Sequence, residues 1–155
     1  MYPHCLETMV RALEKEPRAA FALSGSQHWP GGPCPMLLTP KLAYEREFLG
    51  FGLFHLGPAS AMFRTEAFRE LGGFPTAGVA SDYLFWLDAC AKANVVLVPA
   101  DLFYYRVHAG QERSQPRAEA EYAKAARAAW ARLHAADCPL DNAAREQAKI
   151  GRAHV

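Results

Sequence analysis

Apolar positions along the chain recur at two spacings, and the switches between them mark out the elements. In residues 3–16, Leu6, Met9, Val10 and Leu13 fall at helical spacing, with Pro3 suited to a first turn. Pro17 stops that helix, and Ala19–Ser24 (AAFALS) reads as a short buried strand. Residues 25–40 hold Pro30, Gly31, Gly32, Pro33 and Pro35, a density of breakers that predicts a long surface loop. A helix over 41–49 follows, then a strand near 59–64. Thr65 is a candidate cap for a short helix ending at Leu71, with Gly72 at its C-terminal end. After a loop over 73–80, Ser81 is a candidate cap for a helix over 82–93. Residues 94–99 (NVVLVP) and 102–108 (LFYYRVH) each read as strands. Beyond Pro116 a long helix places Tyr122, Ala125, Ala126, Ala129, Trp130 and Leu133 on one face, and a weaker one covers 140–148. Strands alternate with helices and no segment repeats, which predicts an α/β layer structure.

Composition narrows the function classes. The 155 residues suffice for one domain with a core of its own, and 51% hydrophobic with 21% charged residues is globular rather than disordered composition. The formal net charge is +1 with both signs interspersed, so no nucleic-acid partner is expected. The apolar stretch 51–63 is broken by His55, Gly57, Pro58 and Ser60, and no run approaches the roughly 20 apolar residues that cross a bilayer. Met1 is followed by Pro3, His4 and Glu7 rather than by the basic and apolar segments of a signal peptide. Cys5, Cys34, Cys90 and Cys138 are widely spaced without a CxxC pair, which argues for reduced thiols rather than a zinc site or a disulfide framework. The expected location is the cytoplasm, including the inner face of the membrane.

The segment 57–108 carries the most information. It contains GPASAMFRTEAFRELGGF (57–74), SDYLFWLDACAKA (81–93) and VVLVPADLFYYRVH (95–108), followed by Gln111 and Ser114. This order resembles the C-terminal half of family-2 glycosyltransferases, which have the nucleotide-sugar-binding fold called GT-A. In that family a strand and short helix lead to a Gly-Gly-Phe turn, and a Glu-Asp pair then opens a helix with an aromatic-Trp-Leu pattern. A strand ending in Val-Pro and a Tyr-Arg-x-His segment follow. The resemblance spans roughly residues 2–114 and implies part of a GT-A fold, an α/β layer with a mostly parallel sheet flanked by helices.

The resemblance also implies roles. Inverting sugar transfer needs a carboxylate to take the proton from the acceptor hydroxyl, and Asp82 matches the Asp of the family pair. Ser81 replaces the family Glu, which leaves the acceptor class open. On the residues alone, Asp82 equally reads as a negative charge complementing the positive end of its helix. Gly73 and Phe74 are implied in shaping the acceptor floor, although Gly72-Gly73-Phe74 also reads as a helix end followed by a core aromatic. Phe85 and Trp86 both read as core residues, with stacking on a sugar face the alternative for one of them. Arg106 offers a planar fork to the donor phosphates and His108 a ligand for Mn²⁺ or Mg²⁺, against the alternative of two solvated side chains. His4, His28, His55 and His134 are isolated and carry no assigned chemistry.

The family's metal-binding Asp-x-Asp motif does not occur in the chain. In relatives a helix of the type Tyr-x-x-x-Leu-Glu-x-Met follows that motif, and residues 2–9 (YPHCLETM) look like it. The expectation is therefore an acceptor-side portion, residues 1–115, of an enzyme that moves a sugar from a nucleotide-sugar donor to a glycan or lipid-linked acceptor. The divalent cation would be held mainly upstream, and the chain alone would be inactive. Residues 116–149 read as a helical extension. Residues 150–155 (IGRAHV) back-translate to a common sequencing-adapter sequence and are expected to be a non-native tail. Loss of the donor half is expected to expose the strand at Ala19–Ser24, with Phe21 and Leu23, and to favour self-association. The rival expectation is a non-catalytic carbohydrate- or partner-binding module on a degenerate GT-A fold.

Overall fold

The structure is a computed structural model that describes residues 1–25, 34–50, 52–54, 57–76, 78–99, 102–104 and 106–152, the last three of these in backbone only. Helix α1 (Cys5–Lys15) leads into strand β1 (Ala19–Ser24); β2 (Met36–Leu38) is followed by α2 (Pro40–Phe48). Then come β3 (Ala61–Phe63), α3 (Thr65–Glu70), α4 (Ser81–Lys92), β4 (Asn94–Val98), α5 (Ala118–His134) and α6 (Asn142–Arg152). The four strands form one sheet in the order β2-β4-β1-β3. Only the central pair, β1 with β4, is parallel; β2 and β3 run antiparallel on its two sides. The sheet is therefore mixed, not mostly parallel. Short apolar runs predict strands but carry no direction, and β2 lay hidden in a segment whose prolines and glycines predicted loop alone.

The central pair explains the layers. Leu23 sits opposite Leu97 and Ala22 opposite Val96, so successive residues of both strands alternate between the two faces. Phe21, Leu23, Val95 and Leu97 join the larger core under α2, α4 and α5. Ala22, Val96 and Val98 meet Cys5, Met9, Ala12 and Leu13 of α1 on the other side. A register irregularity between Ala19 and Phe21 turns Ala19 toward α1 as well. Because β1 lies inside the sheet, Phe21 and Leu23 are fully buried, and the expected exposure of this strand is not found. The edges are the three-residue strands β2 and β3 instead.

Three further expectations are corrected. Helices α3 and α4 begin at Thr65 and Ser81 themselves, and neither side chain caps. The residue preceding α3, Arg64, uses its side chain to reach the Ala19 carbonyl at 3.0 Å and that of Leu13, tying α1 to the sheet. The described residues of 102–108 form no strand, and Tyr105 lies outside them. β4 already has a neighbour on each side, so no edge of the central pair is left for a further strand. On α5 the alanines make the contact: Ala125, Ala129 and Leu133 are buried, whereas Tyr122 and Trp130, expected on the same buried face, are exposed. Residues of the predicted extension thus complete the main core, and a paired contact from Arg132 to Asp88 (Nη2 to Oδ2 2.6 Å) locks α5 to α4.

Leu97 is buried at the centre of the sheet under three helices, so Leu97→Ala should destabilise the fold by about 3 kcal/mol. Urea unfolding followed by circular dichroism reads that loss directly.

Candidate functional site

The start of α4 is aimed by a close backbone approach. Gly78 has φ +71°, a left-handed backbone that favours glycine, and this turn before α4 passes beside the Glu121 side chain of α5. Gly78–Ala80 forms one 3-10 turn, and Asp82 follows in the first turn of α4. Its Oδ1 accepts from the Tyr83 amide at 2.8 Å, which suits a negative charge at a helix N-terminus. Burial nevertheless dominates and raises the Asp82 carboxyl above its ordinary value, with the Tyr83 amide and its own amide pulling the other way.

Asp82 lies on the wall of a cavity of about 1030 Å³. A second carboxylate on that wall, Glu47, comes from α2 and is 3% exposed. Its Oε2 accepts from the amides of Leu53 (2.6 Å) and Phe54 (3.1 Å), and its Oε1 from the Tyr83 hydroxyl at 3.0 Å. One buried carboxylate thus ties α2, the 53–54 segment and α4 together beside Asp82. Across the cavity, α5 contributes Tyr122 with Ala125 and Ala126, which stand one turn further along the same side. Gln111, Glu112 and Arg113 close another side. Glu112 is paired with Arg117 through both oxygens at 2.8 Å.

Of the residues singled out by sequence, only Asp82 lines this cavity. Ser81 opens α4 but is not part of the lining. Gly73 has φ +65° and would press a Cβ to 3.2 Å from the Phe68 ring. Phe74 packs edge-on against Phe68 and Phe85 at centroid distances of 5.5 and 5.0 Å. Gly73 and Phe74 therefore border an aromatic cluster and are not part of this cavity's lining, with Phe74 itself exposed. Trp86 is 0% exposed and stacks on Phe54 at 6.4 Å, and Phe85 is buried too, so neither ring is available to a sugar. The tryptophan follows the core because α4 is covered on both flanks, by α2 and α5.

Arg106 and His108 are exposed and stand outside the lining. Gln111 is the residue of that segment that reaches the cavity, and its side chain fastens the other two: Nε2 donates to the Arg106 carbonyl at 2.9 Å, and Oε1 accepts from the His108 amide at 3.3 Å. Among the described residues no three His, Cys, Asp or Glu side chains come together as a metal site. His108 belongs to no such group among the described residues. Among the described residues no helix is long and apolar enough to cross a membrane.

With this geometry, comparison with known proteins adds nothing. No family model, curated protein or solved structure matches this chain. The resemblance to family-2 glycosyltransferases therefore rests on the motifs in 57–108.

Sequence reasoning missed Glu47, Tyr83 and Tyr122. Glu47 had a legible signal, since Tyr44, Glu47 and Phe48 share one face of α2 and the two aromatics are buried. An acidic residue on such a face must be paired or lead to a cavity.

Two outcomes follow. Glu47→Ala leaves two amides and a tyrosine hydroxyl without their buried acceptor and should cost about 3 kcal/mol in chemical denaturation. Glu47→Gln keeps an oxygen for the amides while Tyr83 turns acceptor, and should cost under about 1 kcal/mol. For Asp82, the raised folded value means that the protonated form favours the fold. The stability it contributes is fully present below the unfolded value of about 3.9 and is lost as pH rises through the folded one. Asp82→Asn should therefore melt higher than the wild-type chain at pH 7, and the gap should narrow as pH falls toward 4 or so. A thermal-melt series over pH checks both the sign and the trend.

Proposed function

We propose that the cavity is the acceptor side of an inverting, sugar-nucleotide-dependent glycosyltransferase of GT-A type, with Asp82 as general base. The observation that carries this reading is a half-buried carboxylate of raised basicity, at the first turn of a helix and on the wall of a cavity. A base for an alcohol gains from exactly that partial removal from water, provided its proton acceptor atom stays reachable.

In the proposed step an acceptor hydroxyl gives its proton to Asp82 as its oxygen bonds to the anomeric carbon of the donor. The bond from that carbon to the diphosphate breaks on the opposite face, and the nucleoside diphosphate leaves with the electron pair. Glu47 holds Tyr83 and the Phe54 backbone in place beside the base, which spares the site reorganisation during the reaction. The donor nucleotide and the divalent cation are assigned to residues outside this chain, since it contains no Asp-x-Asp. The proposed location is the cytoplasm or the inner face of the membrane. A saccharide-binding module without transfer is the second reading, favoured by Ser81 in the place of the family Glu and by the same missing motif.

In a protein that joins this chain to its donor-binding region, Asp82→Asn should retain the fold and donor binding and lower turnover by about 10²–10⁴-fold. Radiolabelled sugar transfer measures it. Near-normal turnover would remove Asp82 from the chemistry and leave the binding module as the better reading.

A further inference from the structure

The charges on the cavity wall lean negative: Glu112 is neutralised by Arg117, which leaves the carboxylates of Glu47 and Asp82 against the guanidinium of Arg113. The nearest additional cation on this segment, Arg117, is already held by both oxygens of Glu112. Burial already disfavours the charged form of Asp82, so a further negative charge beside it would be repelled in a partly dehydrated setting. Lining the same cavity as Asp82, α5 presents Tyr122 at 46% exposure, a ring that packing does not consume. The neighbouring cavity positions on that helix are alanines, which leave open the space a larger side chain would fill. An exposed aromatic beside an open floor suits a flat apolar face, and the surrounding carboxylates and Gln111 suit hydroxyl donors.

We infer that this cavity selects an uncharged sugar ring, seated on Tyr122 above Ala126, and rejects acceptors that carry a carboxylate or phosphate. The inference rests on the glycan-acceptor reading and makes Tyr122 its specificity-determining residue. It also answers the question left by Ser81, because selection by charge then lies in the cavity as a whole and not in the residue beside the base.

The test titrates the chain with methyl glycosides of glucose, galactose and mannose, and with the matched methyl uronides, in which only the hydroxymethyl group becomes a carboxylate. Chemical shifts of the protein report binding. At least one neutral glycoside should bind about tenfold or more tightly than its uronide, a difference that should shrink in Asp82→Asn. Tyr122→Ala should weaken that glycoside by roughly tenfold. Ala126→Trp should abolish its binding while the melting temperature stays near wild type, because Ala126 is exposed. Equal or tighter binding of the uronides overturns the charge selection and leaves the glycan site standing. Undiminished glycoside binding in both α5 variants overturns the seat on Tyr122. Binding of none of the six sugars overturns the glycan-acceptor reading together with this inference.

Discussion

The parallel pairing of β1 with β4 is the constraint on which the rest depends. Each strand carries apolar side chains on both faces, from Phe21 and Leu23 against Ala22, and from Val95 and Leu97 against Val96 and Val98. Such a pair cannot face water on either side, so helices must cover both. One side packs against α1 and Leu102, where the small Ala19 and Ala22 let the helix lie close. The other side holds larger residues and takes α2, α4 and α5. The cavity is a consequence of that crowding, since α2, α4 and α5 meet around the N-terminal turn of α4 and leave space where α5 carries alanine.

Legibility in the sequence follows the same division. The helices over α1, α2, α4 and α5 and the strands β1 and β4 are local patterns, and each is readable from its own residues. The Gly72 end of α3 is readable as well, with φ +86° where the sequence placed a C-terminal glycine. Strand direction is not local: β2 and β3 are antiparallel because of where the chain returns, and three-residue strands carry too little pattern to announce it. Strand character over 102–108 is not realised among its described residues, since β-rich residues form strands only where a neighbour receives them and the edges β2 and β3 are three residues long.

For the site, sequence reasoning located one carboxylate of the cavity wall, Asp82, and missed its surroundings. Asp82 was legible because a motif and a helix start coincide at one position. Glu47, Tyr83 and Tyr122 come to the cavity from three helices, and nothing in their spacing along the chain links them. Trp86 illustrates the converse: its place in the motif suggested a sugar platform, yet a ring on the flank of a twice-covered helix is consumed by packing. Among the aromatics that line the cavity, Tyr122 on α5 is exposed.

Asp82 also shows why such a site strains its own fold. Moving its carboxylate out of water makes it a stronger base, and by the same shift makes its charged form a burden on the folded state. The two effects are one free energy seen from two sides, so a replacement that relieves the fold must weaken the base. Glu47 meets the opposite condition. It is buried more deeply but surrounded by two amides and a hydroxyl that donate to it, so its charge is compensated by fixed dipoles and serves to hold three elements together. The two carboxylates on one cavity thus differ in their hydrogen-bond partners: Glu47 accepts from two amides and a hydroxyl of other segments, Asp82 from the amide of the next residue. That difference is the physical ground on which the proposed function places its proton transfer at Asp82 rather than at Glu47.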